Sequence, residues 1–235
     1  MAEIIAKQQV VASRNGGRDL IVGRTIRACW PACIILLFSF TVAPISLSHE
    51  LRRLGMSELL KAGGPNDFIL GSPKTDLKVF AYVSLASRAS GDFYESRFEK
   101  LKARFIDTGK VRWIVRDLPI GALALAATAV TRCASSKRRY AIWMSLMRQQ
   151  ALWLDATDKL KPLRKIARQH RISKRGFNRC LTDPGMEHDL VVKRDAIRGA
   201  FGLKVTPTFY FQGQGYEGLR SLDELETALT TAIKE

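Results

Sequence analysis

The chain is poor in the side chains that most often carry metal and thiol chemistry. It has three histidines, His49, His170 and His188, and four cysteines among 235 residues. No two cysteines stand in a Cys-x-x-Cys, so neither a zinc ribbon nor a dithiol redox pair can be read along the chain, and no metal site is expected. Acidic residues are also scarce, with 22 Asp and Glu against 38 Lys and Arg, a net charge of +16. No internal repeat or low-complexity tract interrupts the sequence. With 46% apolar residues it can bury one core, or one core with an inserted subdomain.

Charge is absent altogether from residues 28–47, a run long enough to span a bilayer. Arg24 and Arg27 precede it as positive-inside flanks, and Pro31 and Pro44 argue against a buried core helix. The run predicts an export signal. Ser46 and Ser48 offer small residues for a cut ahead of His49, Pro44 spoils a cut after Ala43, and an uncleaved segment would be an inner-membrane anchor. The stretch ahead of the run is long for a signal peptide, and a start near Leu20 or Val22 would shorten it. Cys29 and Cys33 follow no convincing lipid-attachment box and read as bystanders. Residues 1–48 are thus a leader and 49–66 a polar connector. The leader holds five basic and two acidic groups, so +13 remains with the folded part. Export to the periplasm, with no recognised binding motif, argues against nucleic acid as the partner of that charge.

The folded part is organised around 78–105. Lys78-Val79-Phe80-Ala81-Tyr82-Val83-Ser84-Leu85 is apolar and β-rich and predicts a buried strand. Tyr94, Phe98, Leu101 and Phe105 recur at helical spacing and predict one helix running to a terminator at Gly109. Between them lies Ser87-Arg88-Ala89-Ser90, where a helix N-terminus presents free N–H groups and a positive dipole end. Tyr82-Val83-Ser84-Leu85, Phe93, and Phe105-Ile106-Asp107-Thr108-Gly109-Lys110-Val111-Arg112 resemble the bacterial DsbA-type thiol–disulfide oxidoreductases. At the two positions where that family carries its redox cysteines, this chain has Ser87 and Ser90.

The resemblance covers about 67–234 and implies an α/β thioredoxin fold with an inserted helical subdomain. Residues 67–120 and 200–235 would form the thioredoxin-like part and 121–199 the insertion. Asp67–Pro73 looks like the family's first strand and turn, and Val111–Pro119 reads as the next strand. Helices are expected from Gly121 to Cys133, through Trp143, Leu146 and Trp153, over Leu160–Gln169, and around Phe177 and Met186–Ile197. Strand character returns at Thr208–Gln212. A last helix opens with the capping box Ser221-x-x-Glu224 and aligns Leu222, Leu225, Leu229 and Ile233.

Thr206-Pro207 resembles the family's cis-proline loop, which presents backbone to an extended client; a proline that merely opens a strand is the alternative. Ser87 and Ser90 read first as helix caps. A second reading makes a serine the hydrogen-bond partner of a bound thiolate such as glutathione, as in the similar kappa-class glutathione transferases and hydroxychromene isomerases. A serine nucleophile would need a general base, and all three histidines fall outside the thioredoxin-like core. Arg88 at a helix N-terminus is a weak pointer to an anionic ligand, with a solvated side chain as the alternative. Cys133 and Cys180 look like the second, structural disulfide of some relatives; two buried thiols are the alternative. The insertion carries 17 basic and six acidic residues. It is either a solvated surface or a docking face for an anionic membrane or an acidic partner.

The sequence therefore implies an exported DsbA-like protein without dithiol exchange, binding unfolded or exported polypeptides and requiring no cofactor. A serine-type glutathione-dependent enzyme and a scaffold for anionic surfaces are the alternatives.

Overall fold

The computed structural model describes residues 67–218 and 222–234. The apolar run 28–47 and its flanks, the connector, Ser221 and the Leu222 side chain lie outside the described residues. No helix among the described residues is long and apolar enough to cross a membrane.

Five strands form one sheet, β1 (Phe68–Leu70), β2 (Lys78–Val83), β3 (Arg112–Asp117), β4 (Thr208–Phe211) and β5 (Gln214–Glu217). Their spatial order is β1-β3-β2-β4-β5. β2 and β3 run parallel, with Val83 opposite Asp117. β1 pairs with β3, and β4 with β2 and β5, in antiparallel fashion. The near-continuous apolar reading of β2 has a simple cause: both of its faces are covered. Val79, Ala81 and Val83 enter the larger core cluster, whereas Phe80 and Tyr82 point into a second cluster with Ile197 and Leu203.

The helix expected to run from the junction to Gly109 is instead three pieces. These are α1 (Arg88–Ser96), α2 (Phe98–Leu101) and a π-helical turn over Lys102–Ile106. Ser96 Oγ donates to Asp92 O at 2.6 Å, the back-bonding that bends helices, and Arg97 adopts φ −120° at the break. In the π turn Asp107 N donates to Lys102 O, five residues back. The four apolar residues that predicted the helix are nonetheless all buried. Gly109 ends the segment at φ +72°, where a side chain would be strained.

Between β3 and β4 lie α3 (Ala122–Arg132), α4 (Ser136–Arg148), α5 (Gln150–Leu154), α6 (Leu160–Gln169), α7 (Lys174–Thr182) and α8 (Pro184–Phe201). The helix expected through Trp143 and Trp153 breaks at Gln149, and the Trp153 indole donates to Leu146 O at 2.9 Å across the corner. Cys133, capping α3, and Cys180, in α7, are joined as a disulfide with Cα atoms 6.1 Å apart. In α9 (Leu222–Lys234) Leu225 and Leu229 are buried, but Ile233 is exposed and Ala232 takes the inward position near the end. The sheet's first strand is tied down by a largely buried ion pair: Arg116 donates from Nε and Nη2 to the Asp67 carboxylate.

Candidate functional site

The site forms where β2 turns into α1. Ser87 N donates to Ser84 O at 3.0 Å, which closes the turn, and Ser87 becomes the N-cap with extended backbone, φ −86° and ψ 118°. Its hydroxyl oxygen accepts from Ser90 N at 3.3 Å. The same hydroxyl donates to Thr206 O at 2.7 Å. Thr206–Pro207 is a cis peptide bond, and Pro207 is buried. The loop that carries it is held by Thr208 Oγ1 donating to Val205 O at 2.8 Å and by Gly218 N donating to Pro207 O at 2.9 Å. Pairing of Tyr82 with Thr208 places this loop against the end of β2.

Ser87, Thr206 and Pro207, singled out from the sequence, are therefore brought together. Ser90 is not a cap, contrary to one reading of the sequence. It sits at the third helical position, fully buried, and its Oγ has no hydrogen-bond partner among the described residues. Arg88 and Ala89 form the exposed first turn, and their N–H groups carry no hydrogen bond among the described residues. Arg88 is exposed, and its guanidinium is paired with Asp155. Both partners are more than half exposed, so the pair contributes little stability.

The sequence did not point to Gln150. It is buried, and its Nε2 donates to both Leu85 O and Ser87 O at 2.8 Å, satisfying two carbonyls between the strand end and the helix start. The break at Gln149 is what turns this side chain toward the junction. A Cβ on Gly91 would lie 2.4 Å from Gln150 Oε1, so any side chain there would push the Gln150 amide out of its place. That glycine early in a helix, where alanine is favoured, was the available sign that something packs against it.

Neither histidine among the described residues serves these serines. His170 Nε2 lies 2.8 Å from Ser145 Oγ, and His188 is exposed on α8. Beyond the junction, Asp117 at the end of β3 accepts from the Trp143 indole at 2.8 Å. Burial pushes its carboxyl up to about 6. Cys133 and Cys180 are bonded to each other within the insertion and form no part of the junction. No group of three or more metal-binding side chains gathers among the described residues.

The thioredoxin family's sequence model matches residues 64–231. Proteins of Rickettsia felis and Rickettsia conorii, provisionally named protein-disulfide oxidoreductases, are 24% and 25% identical to this chain over 171 residues. That match covers 72% of this chain and 61% of either relative, so the chain accounts for under two thirds of their length. Among solved structures, alpha-DsbA1 of Wolbachia pipientis superposes with a TM-score of 0.66 at 24% identity, covering 75% of this chain and 95% of that one. The oxidised form of BdbD from Bacillus subtilis gives 0.61 at 16% identity, over 72% and 94% of the two chains. Both likenesses are of fold.

Proposed function

This chain belongs to the thioredoxin family, and from that premise we propose that it is an exported, DsbA-like polypeptide-binding protein that performs no thiol–disulfide exchange. The observation that carries the reading is the junction itself. A serine hydroxyl stands at the N-cap, a second serine is sealed beneath it, and a cis-proline loop faces them with no free thiol among the described residues. Disulfide exchange needs a thiolate that attacks sulfur and forms a mixed disulfide, which a hydroxyl cannot do. Backbone pairing with an extended client needs no sulfur. The exposed Val205 beside the loop, and Ile120 just beyond β3, supply apolar surface for client side chains.

The glutathione reading has less support. The one hydrogen of the Ser87 hydroxyl is committed to Thr206 O, and a bound thiolate would have to take it from there. Export, and with it a periplasmic location, is the reading supported by the apolar run 28–47 and its arginine flanks.

The test is paired. The full-length protein should neither accelerate insulin reduction nor oxidise a reduced peptide, and turnover above the uncatalysed rate refutes the loss of exchange. Extended peptides should bind with a Kd in the micromolar range, about −8 kcal/mol. NMR shifts should fall on Ser87–Ser90 and Thr206, and Pro207→Ala should abolish the binding while the fold is retained. Shifts confined to the helical insertion would show that the groove is not used.

A further inference from the structure

The two densest basic stretches of the insertion, Lys137-Arg138-Arg139 and Lys159–Arg179, are separate in sequence, but the fold brings their ends to one cavity. It has a volume of about 170 Å³ and lies among the end of α3, the first turn of α4, the α6–α7 loop and the start of α7. Three guanidinium-bearing residues line it, Arg138, Arg171 and Arg179, together with Ser135 and Ser173; no carboxylate does. None of these residues belongs to the Ser87–Pro207 junction.

Arg138 is held in place by neutral groups. Its Nε donates to Ser135 Oγ at 3.2 Å and its Nη1 to His170 O at 3.4 Å, so the side chain is oriented while its charge stays uncancelled. Arg171 and Arg179 are exposed, and neither pairs with a carboxylate among the described residues. Two helices begin at the cavity, α4 after Ser135 and α7 after Ser173, and neither has an acidic residue in its first turn. The dipole ends therefore add to the arginine field; no carboxylate in either helix start offsets them, and the one side-chain cap there is Ser173 Oγ, which accepts from Gly176 N at 3.0 Å. The positive potential is felt by His170, which burial and then Arg138 hold below the usual histidine range. The Cys133–Cys180 bridge, itself part of the lining, ties two of the walls together covalently.

Like charges that converge on a small polar cavity repel one another, and an anion that accepts from all of them relieves the repulsion. Guanidinium groups match a tetrahedral oxyanion through paired N–H donors. We propose that this cavity binds a phosphate group, either free phosphate or the phosphate of a lipid headgroup. Its volume suits one such group and not a nucleotide.

Calorimetric titration of the full-length protein, in nonionic detergent and at constant ionic strength, tests the assignment with inorganic phosphate as the probe. Saturable binding to one site is expected, with a Kd at or below about 1 mM. Arg138→Gln and Arg179→Gln should each weaken it by about tenfold or more, the loss of a charge-assisted contact. Arg168→Gln removes the same charge from α6 outside the cavity and should weaken binding less than about twofold. Arg171→Gln, at an exposed residue of the lining, serves as the second variant should Arg138→Gln disturb its turn, and should weaken binding likewise. No saturation, or an equal loss in Arg168→Gln, overturns the proposal, since the charge would then act only in bulk. Vesicles with and without phosphatidylglycerol separate the sources. Binding that inorganic phosphate displaces, and that Arg179→Gln loses, assigns the headgroup; vesicle binding indifferent to both assigns the free anion.

Discussion

The hydroxyl of Ser87 donates to the carbonyl of Thr206 at 2.7 Å, joining a helix cap to the cis-proline loop across 119 residues of sequence. Because the same oxygen accepts from Ser90 N, one small side chain both starts α1 and fastens the loop opposite. Ser87→Ala removes both bonds and should lower stability by about 1–2 kcal/mol, read from denaturant unfolding. Ser90→Ala removes a buried hydroxyl that has no partner among the described residues, so stability should stay level or rise. A loss at Ser90 equal to that at Ser87 would contradict the separate roles assigned to them.

Gly91 and Gln150 should be strongly coupled. Gly91→Ala places a Cβ against the Gln150 amide and should destabilise, although alanine is intrinsically the better helix former. Gln150→Ala forfeits two hydrogen bonds and strands the Leu85 and Ser87 carbonyls, at a cost of about 2 kcal/mol. In the double variant the clash is gone, so its loss should fall short of the sum of the single losses by more than about 0.5 kcal/mol. Simple additivity would show that the two side-chain positions do not meet.

Asp117 should make stability depend on pH in the acid range. The folded carboxyl keeps its proton up to about pH 6, whereas an unfolded aspartic acid releases it near pH 4. Between those values the folded state binds the additional proton, so this residue's contribution to stability falls as pH rises from about 4 to 6 and is level above that. Asp117→Asn keeps an oxygen acceptor for the Trp143 indole. It should remove that slope and raise stability at pH 7 by about 1–3 kcal/mol. Unfolding curves at pH 4.5 and 7 that move in parallel for both proteins would refute this role.

Asp67 and Arg116 form an ion pair whose side chains are 9% and 10% exposed. Arg116 also packs over the Phe80 ring, 4.7 Å from its centroid. Asp67→Ala leaves a guanidinium in the sheet without its carboxylate and should cost about 3 kcal/mol. A cost under about 1 kcal/mol would mean that water reaches the pair and screens it.

Much of this protein could be read residue by residue, and the failures have identifiable causes. The strands at 78–83 and 112–117 and the buried face of Tyr94, Phe98, Leu101 and Phe105 follow from period and side-chain type. Helix continuity does not. The break at Arg97 goes with a Ser96 hydroxyl that bonds Asp92 O, and the break at Gln149 goes with a Trp153 indole that takes Leu146 O. Apolar spacing is insensitive to both. Ser87 and Ser90 looked alike as cap candidates because capping preference depends on residue type, whereas only one of them stands at the cap. Gln150 was invisible because a single glutamine on a helix is ordinarily a surface residue.

By itself, the sequence determined where the strands at 78–83, 112–117 and 208–211 and the helical stretches fall, most of their apolar faces, the absence of a dithiol at the junction and the excess of positive charge. These properties arise from neighbours within one or two turns, where side-chain type and spacing act directly. Only the tertiary structure decided which distant groups meet. Ser87 finds Thr206 because β2 lies beside β4 in the sheet, and Cys133 finds Cys180 because α3 packs on α7. Arg138, Arg171 and Arg179 share a cavity because the first turn of α4 and the α6–α7 corner are folded together. Such contacts are set by which buried faces pack on one another across the whole chain, and no local pattern carries that information.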